Sequence, residues 1–146
     1  MIKAIKQWVT AVGLLVLSAV SVAESEERTA QIIVQDAVSV EQLKRTDLRA
    51  IFTMKKQFWP DGTAITVFVL PPRDPVHVQF CRDALKLLPF QLNREWDRLV
   101  FSGTGERPQV VSSAAQMLEL VQTTPGAIGY LPASVNAKGY DIAIIK

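Results

Sequence analysis

Residues 65–80 read Ile65-Thr66-Val67-Phe68-Val69-Leu70-Pro71-Pro72-Arg73-Asp74-Pro75-Val76-His77-Val78-Gln79-Phe80, and this stretch decides the fold class. Ile65 to Leu70 is a nearly continuous apolar run, the pattern of a strand buried on both faces of a sheet. Pro71-Pro72-Arg73 makes a stiff connection. Asp74 is a natural N-cap, with Pro75 at the first helical position. Val76, Phe80, Ala84 or Leu85, and Leu88 then recur at helical spacing until Pro89, where the helix is expected to end. A strand handed directly to a helix is the building unit of an α/β domain.

The flanking sequence repeats that alternation. Ala30 to Val34 reads as a first strand, and Ser39-Val40-Glu41-Gln42 has the spacing of a capping box. A helix is expected after it, with Leu43, Leu48, Ile51 and Phe52 as its apolar face and a break near Thr46-Asp47. Trp59-Pro60-Asp61-Gly62 is a turn. Gln91 to Phe101 reads as a helix or irregular segment carrying Trp96 and Val100. Ser112 is placed to cap a further helix with Ala115, Leu118 and Val121 or Gln122 on its apolar side. After Pro125-Gly126, Ala127 to Leu131 is a strand, and Ile142 to Ile145 is expected to be the last. The class is α/β, with a central mainly parallel or mixed sheet flanked by helices. No linker or repeat divides the chain.

The first residues carry a different signal. Lys3 and Lys6 precede an uncharged apolar run from Trp8 to Val22, which closes on Ser21-Val22-Ala23 and is followed by Glu24 to Glu27. This is the three-part pattern of a secretory signal peptide, expected to span residues 1–23. The apolar run, of about 15 residues, is short of the roughly 20 that cross a bilayer, so no membrane span is expected after cleavage. The only Cys is Cys81, so there is no lipobox. Residues 24–146 are expected to form one domain, located in the periplasm of a Gram-negative cell.

Removing the leader also removes two Lys and no acid from the chain's 16 Lys+Arg and 14 Asp+Glu. What remains is formally neutral, so a nucleic-acid partner has no electrostatic support. One Cys and one His exclude a disulfide framework and a zinc site built from several such ligands. Cys81, in an apolar helical pattern, reads as a buried and inert thiol.

Candidate chemistry is sparse. A Ser-His-Asp hydrolase would have to use His77 with Asp74 or Asp83, but there is no Gly-x-Ser-x-Gly elbow. His77 and Cys81, four residues apart, could share a helix face and hold a soft metal, but two ligands make a weak site. Otherwise His77 is a partly exposed histidine near a helix start. No catalytic residue, metal or cofactor is assigned, and the chain is not expected to be an enzyme. Ser102-Gly103-Thr104-Gly105 has the look of an anion cradle without the Lys and spacing of a P-loop. Arg73, beside the Asp74-capped helix start, offers a guanidinium suited to an oxyanion, or an ordinary surface ion pair with Asp74 or Asp83.

Three segments, in order, resemble the periplasmic phosphate-binding proteins of ABC transporters. They are Leu48 to Trp59 with Asp61-Gly62, then Val67 to Phe80 around Arg73-Asp74, then Thr124-Pro125-Gly126-Ala127-Ile128-Gly129-Tyr130. The resemblance implies a single lobe, the inserted α/β lobe, of a type II periplasmic-binding-protein fold. The family's phosphate loop reads Arg-x-Asp-x-Ser-Gly-Thr ahead of a Phe. Aligned on Phe80, Asp74 keeps the Asp position, Pro72 stands where the Arg belongs, and Val76-His77-Val78 replace Ser-Gly-Thr. These replacements remove two hydroxyls and the glycine that lets backbone approach an anion.

The functional expectation is a secreted single-lobe binding or adaptor component working with a protein partner or as a homodimer. Phosphate or a similar oxyanion would be held weakly by Arg73, Asp74, His77, Ser102, Gly103 and Thr104. The alternative is an envelope assembly protein that kept the lobe and lost the ligand.

Overall fold

The computed structural model describes residues 30–38 and 42–137, and the backbone of 141–145. The leader assigned to residues 1–23 and the Ser39 end of the capping box lie outside the described residues. Among the described residues, six strands and four α-helices follow in the order β1 (Gln31–Val34), β2 (Gln42–Leu43), α1 (Arg45–Phe52), β3 (Thr66–Val69), α2 (Pro75–Phe80), α3 (Pro89–Ser102), β4 (Gln109–Val110), α4 (Ala114–Thr123), β5 (Ala127–Leu131) and β6 (Asp141–Ile145). The strands form one mixed sheet in the order β2-β6-β1-β5-β3-β4. β3 runs parallel to β4 and β5, and β2 parallel to β6. β1 lies antiparallel to both of its neighbours, β5 and β6. The sheet ends at each side in a strand of two residues, β2 and β4.

Strand β5 shows why helices sit on both faces. All five of its residues are buried, and alternate side chains point to opposite sides. On one side is Gly129, where an added Cβ would lie 2.5 Å from Met117 Sδ and 3.1 Å from Val121 Cγ2. Glycine here lets α4 pack directly on the strand. On the other side Tyr130 stacks on Phe80 with ring centroids 3.9 Å apart, and Phe52 closes edge-on against Phe80 at 4.7 Å. The α1 and α2 side of the core is therefore aromatic, whereas the α4 side is close-packed through small and flexible residues.

Two indole N–H groups tie the layers together. Trp59 Nε1 donates to Gly126 O at 2.9 Å, and Trp96 Nε1 donates to Phe52 O at 2.8 Å. Both rings are buried, so each N–H needs such a partner. Trp59 thereby locks the Pro60-Asp61-Gly62 turn, where Gly62 N also donates to Trp59 O, onto the turn that leads into β5.

Several local expectations are corrected. Leu43 belongs to β2, not to the apolar face of α1, and α1 runs unbroken through Thr46-Asp47. The helix begun at Pro75 widens into a π-turn, Cys81–Leu85, and stops at Lys86, whose φ is 53°. Pro89 opens α3 rather than ending its predecessor, because its missing N–H is an orphan at a helix start in any case. In α4 the cap is Ser113, not Ser112: its hydroxyl accepts from Gln116 N at 3.2 Å. The buried side is Met117 and Val121.

Candidate functional site

The helix start at Asp74 is built as its sequence implies. The Asp74 carboxylate accepts the N–H of Val76 at 2.8 Å, and Asp74 O accepts from Val78 N at 3.0 Å. Pro75 brings no N–H. Arg73 lies exposed beside this turn, on a shallow cleft of about 580 Å3 lined also by Pro75, Val78, Gln79, Arg82 and Asp83.

His77 departs from the expectation of a partly exposed side chain. It is 1% exposed and both ring nitrogens have partners. Nδ1 hydrogen-bonds the hydroxyl of Tyr130, and Nε2 lies 3.4 Å from Cys81 Sγ. The same Tyr130 hydroxyl accepts the N–H of Leu70 at 2.9 Å. One assignment of protons gives every N–H and O–H donor of this group a partner. Leu70 N–H donates to Tyr130, Tyr130 O–H donates to Nδ1, and Nε2–H points at the sulfur. That assignment requires a neutral imidazole. Burial agrees, pushing the His77 pKa below its ordinary value, with the Asp74 charge opposing. Burial also raises the Cys81 thiol to about 12 and moves the Tyr130 phenol upward. Cys81 is thus buried and protonated, and all three side chains are internal at neutral pH.

The Ser102-Gly103-Thr104 turn sits at the opposite kind of helix end. Gly103, at φ 69°, is the C-cap of α3. Gly103 N donates to Val100 O at 3.1 Å and Thr104 N to Leu99 O at 3.0 Å. The Ser102 and Thr104 hydroxyls pair with each other at 2.6 Å. These N–H groups close the helix, and a helix C-terminus carries partial negative charge. Arg73, Asp74 and His77 thus share one turn, while Ser102 to Thr104 belong to another element.

The sequence reading missed two features. One is the role of Tyr130, since nothing local shows that a partner 53 residues from His77 would occupy its ring. The other is a second concavity, between α1 and α3, lined at matching helical spacing by Thr46, Arg49, Ala50 and Thr53 on one side and Gln91, Arg94, Glu95 and Arg98 on the other. That i, i+3, i+4, i+7 pattern was available in the sequence. Among the described residues, no three His, Cys, Asp or Glu side chains gather as a metal site. No helix there is long and apolar enough to cross a membrane.

The described residues form a mixed, helix-flanked sheet with a capped βα turn beside its central strands. Solved structures share this fold. A structure from Clostridium perfringens described as a phosphate ABC transporter substrate-binding protein with bound phosphate matches with a TM-score of 0.61 and 16% identity. The match covers 80% of this chain and 44% of that one. An ABC-type phosphate transport receptor from Vibrio cholerae matches at 0.54 and 16% identity, covering 80% and 46%. PstS from Borrelia burgdorferi matches at 0.55 and 14% identity, covering 81% and 47%. The chain therefore has the fold of phosphate substrate-binding proteins over less than half of their length, as the single-lobe resemblance implies. No protein-family model and no curated protein matches the sequence.

Proposed function

We propose that this protein is an exported, single-lobe relative of the phosphate substrate-binding proteins that acts as an adaptor or binding component through a protein partner. The observation that carries this reading is the occupation of the Asp74–Val78 turn from inside. Where the related loop places Ser-Gly-Thr, His77 turns into the core and spends both nitrogens on Tyr130 and Cys81. Asp74 itself takes the Val76 N–H. An oxyanion at this turn meets chiefly the exposed Arg73 and keeps its water, whereas burial between two lobes would set it among fixed donors in a low dielectric. Contact of that kind is weak, which leaves protein recognition as the main work of the lobe.

Titration calorimetry with inorganic phosphate at low salt tests this. The expected dissociation constant is in the millimolar range or absent, and micromolar affinity overturns the adaptor reading. Capture from envelope extracts then separates two variants of it. Retention of a membrane-bound transport or sensor component favours an adaptor. Retention of a structural envelope protein, with Arg73→Ala without effect, favours an assembly protein that has lost its ligand.

A further inference from the structure

The groove between α1 and α3 holds an unusual share of the chain's positive charge. Its ten lining residues include Arg49, Lys55, Arg94 and Arg98 against a single acid, Glu95. Residues 24–146 as a whole are formally neutral, so the excess is local. Glu95 is already engaged, with Lys55 Nζ at 3.2 Å and Arg98 Nη1 at 3.8 Å. Arg49, from α1, and Arg94, from α3, are exposed, and their guanidinium groups have no hydrogen bond or ion pair among the described residues. The groove encloses about 460 Å3, with Ala50 and Leu87 supplying apolar surface and Thr46 and Gln91 supplying hydroxyl and amide groups.

We infer that this groove binds an acidic, extended peptide segment of a partner protein, with Arg49 and Arg94 gripping its carboxylates from opposite walls. The shape favours a peptide over a small inorganic anion. Each wall presents eight residues, Thr46 to Thr53 and Gln91 to Arg98, about 10 Å along the helix, which matches roughly three residues of extended chain. The cations are spread along that length on two helices rather than converging on one point. Guanidinium groups suit carboxylates geometrically, and the Thr46 and Gln91 side chains can serve a peptide backbone. The walls are fixed relative to each other beneath the groove, where Trp96 of α3 donates to Phe52 O of α1, so the site is formed before its ligand arrives. The inference rests on the adaptor reading only in assigning the peptide to a partner protein.

The test is fluorescence anisotropy of labelled hexaglutamate with the purified protein at about 50 mM and about 300 mM salt. Binding stronger than about 1 mM at the lower salt is expected, lost at the higher. In the Arg49→Gln/Arg94→Gln variant the affinity falls at least about tenfold and the dependence on salt becomes shallower. Arg73→Gln/Arg82→Gln, in the other cleft, changes it less than about twofold. Unchanged far-ultraviolet circular dichroism and urea midpoint show that the variants are folded; both arginines are exposed, so folding is expected to persist. Absence of hexaglutamate binding, equal loss in both double variants, or tighter binding of tripolyphosphate through the same arginines each overturns the inference. A partner retained from envelope extracts as strongly by Arg49→Gln/Arg94→Gln as by the parent overturns it too, while leaving the adaptor reading intact.

Discussion

Replacing Tyr130 by Phe removes one oxygen from the most heavily shared position in the core. The ring stack on Phe80 and the contact with Phe52 are retained, so packing changes little. What is lost is the acceptor for Leu70 N–H and the partner of His77 Nδ1. Leu70 and His77 are 2% and 1% exposed, so water does not readily replace the hydroxyl. A buried polar group stripped of its partner costs about 1–3 kcal/mol, and two such groups put the loss near 3 kcal/mol. With a urea slope of about 1.5 kcal/mol/M for a domain of this size, the midpoint should fall by about 2 M at unchanged slope. In a His77→Leu background the same substitution should cost about 1–2 kcal/mol less, because one of the two bonds is already gone. A loss below about 0.5 kcal/mol, or strict additivity with His77→Leu, would refute the coupling of these groups.

Three further outcomes follow from other features. Gly126→Ala places a Cβ 2.1 Å from Ala64 O at a backbone φ of 69°; because the obstruction is backbone, the loss should exceed about 3 kcal/mol or soluble protein should not be recovered. His77 is the sole histidine, and burial holds its folded pKa below its ordinary value of 6.5. The unfolded chain therefore takes up the proton first as pH falls, and unfolding free energy should be full above 6.5 and decline below it until the folded imidazole also protonates. Urea midpoints measured across this window should show the slope, and His77→Gln should flatten it. Cys81, buried with its thiol pushed up to about 12, should be inert to Ellman's reagent at neutral pH and react fully in denaturant; prompt labelling of the native protein would contradict its burial.

How much of this was legible beforehand depended on whether the deciding contacts were local. Strands β3 and β5, the Trp59–Gly62 turn and the Asp74-Pro75 helix start are all specified by neighbouring residues, and the structure places them as read. Leu43 was drawn into a helix because its apolar side chain fits the period of α1, yet pairing with β6 claims it as strand. Pro89 is equally able to follow one helix or open the next, and only the π-turn and left-handed Lys86 decide between them. The antiparallel placement of β1 between β5 and β6 depends on partners about 100 residues away, which no periodicity encodes. His77 was readable as a titratable side chain near a helix start. Its burial was not, because that follows from the Tyr130 hydroxyl arriving from another strand.

The two-residue strands at the sheet margins limit how any companion molecule can attach. An open strand several residues long would invite main-chain annealing, which adds a foreign strand with little regard to its side chains. β2 and β4 offer too brief a ladder for that mode to hold. On the adaptor reading, recognition then falls to side chains projecting from the helical layers, where a change of one or two residues can retarget it without disturbing the sheet beneath.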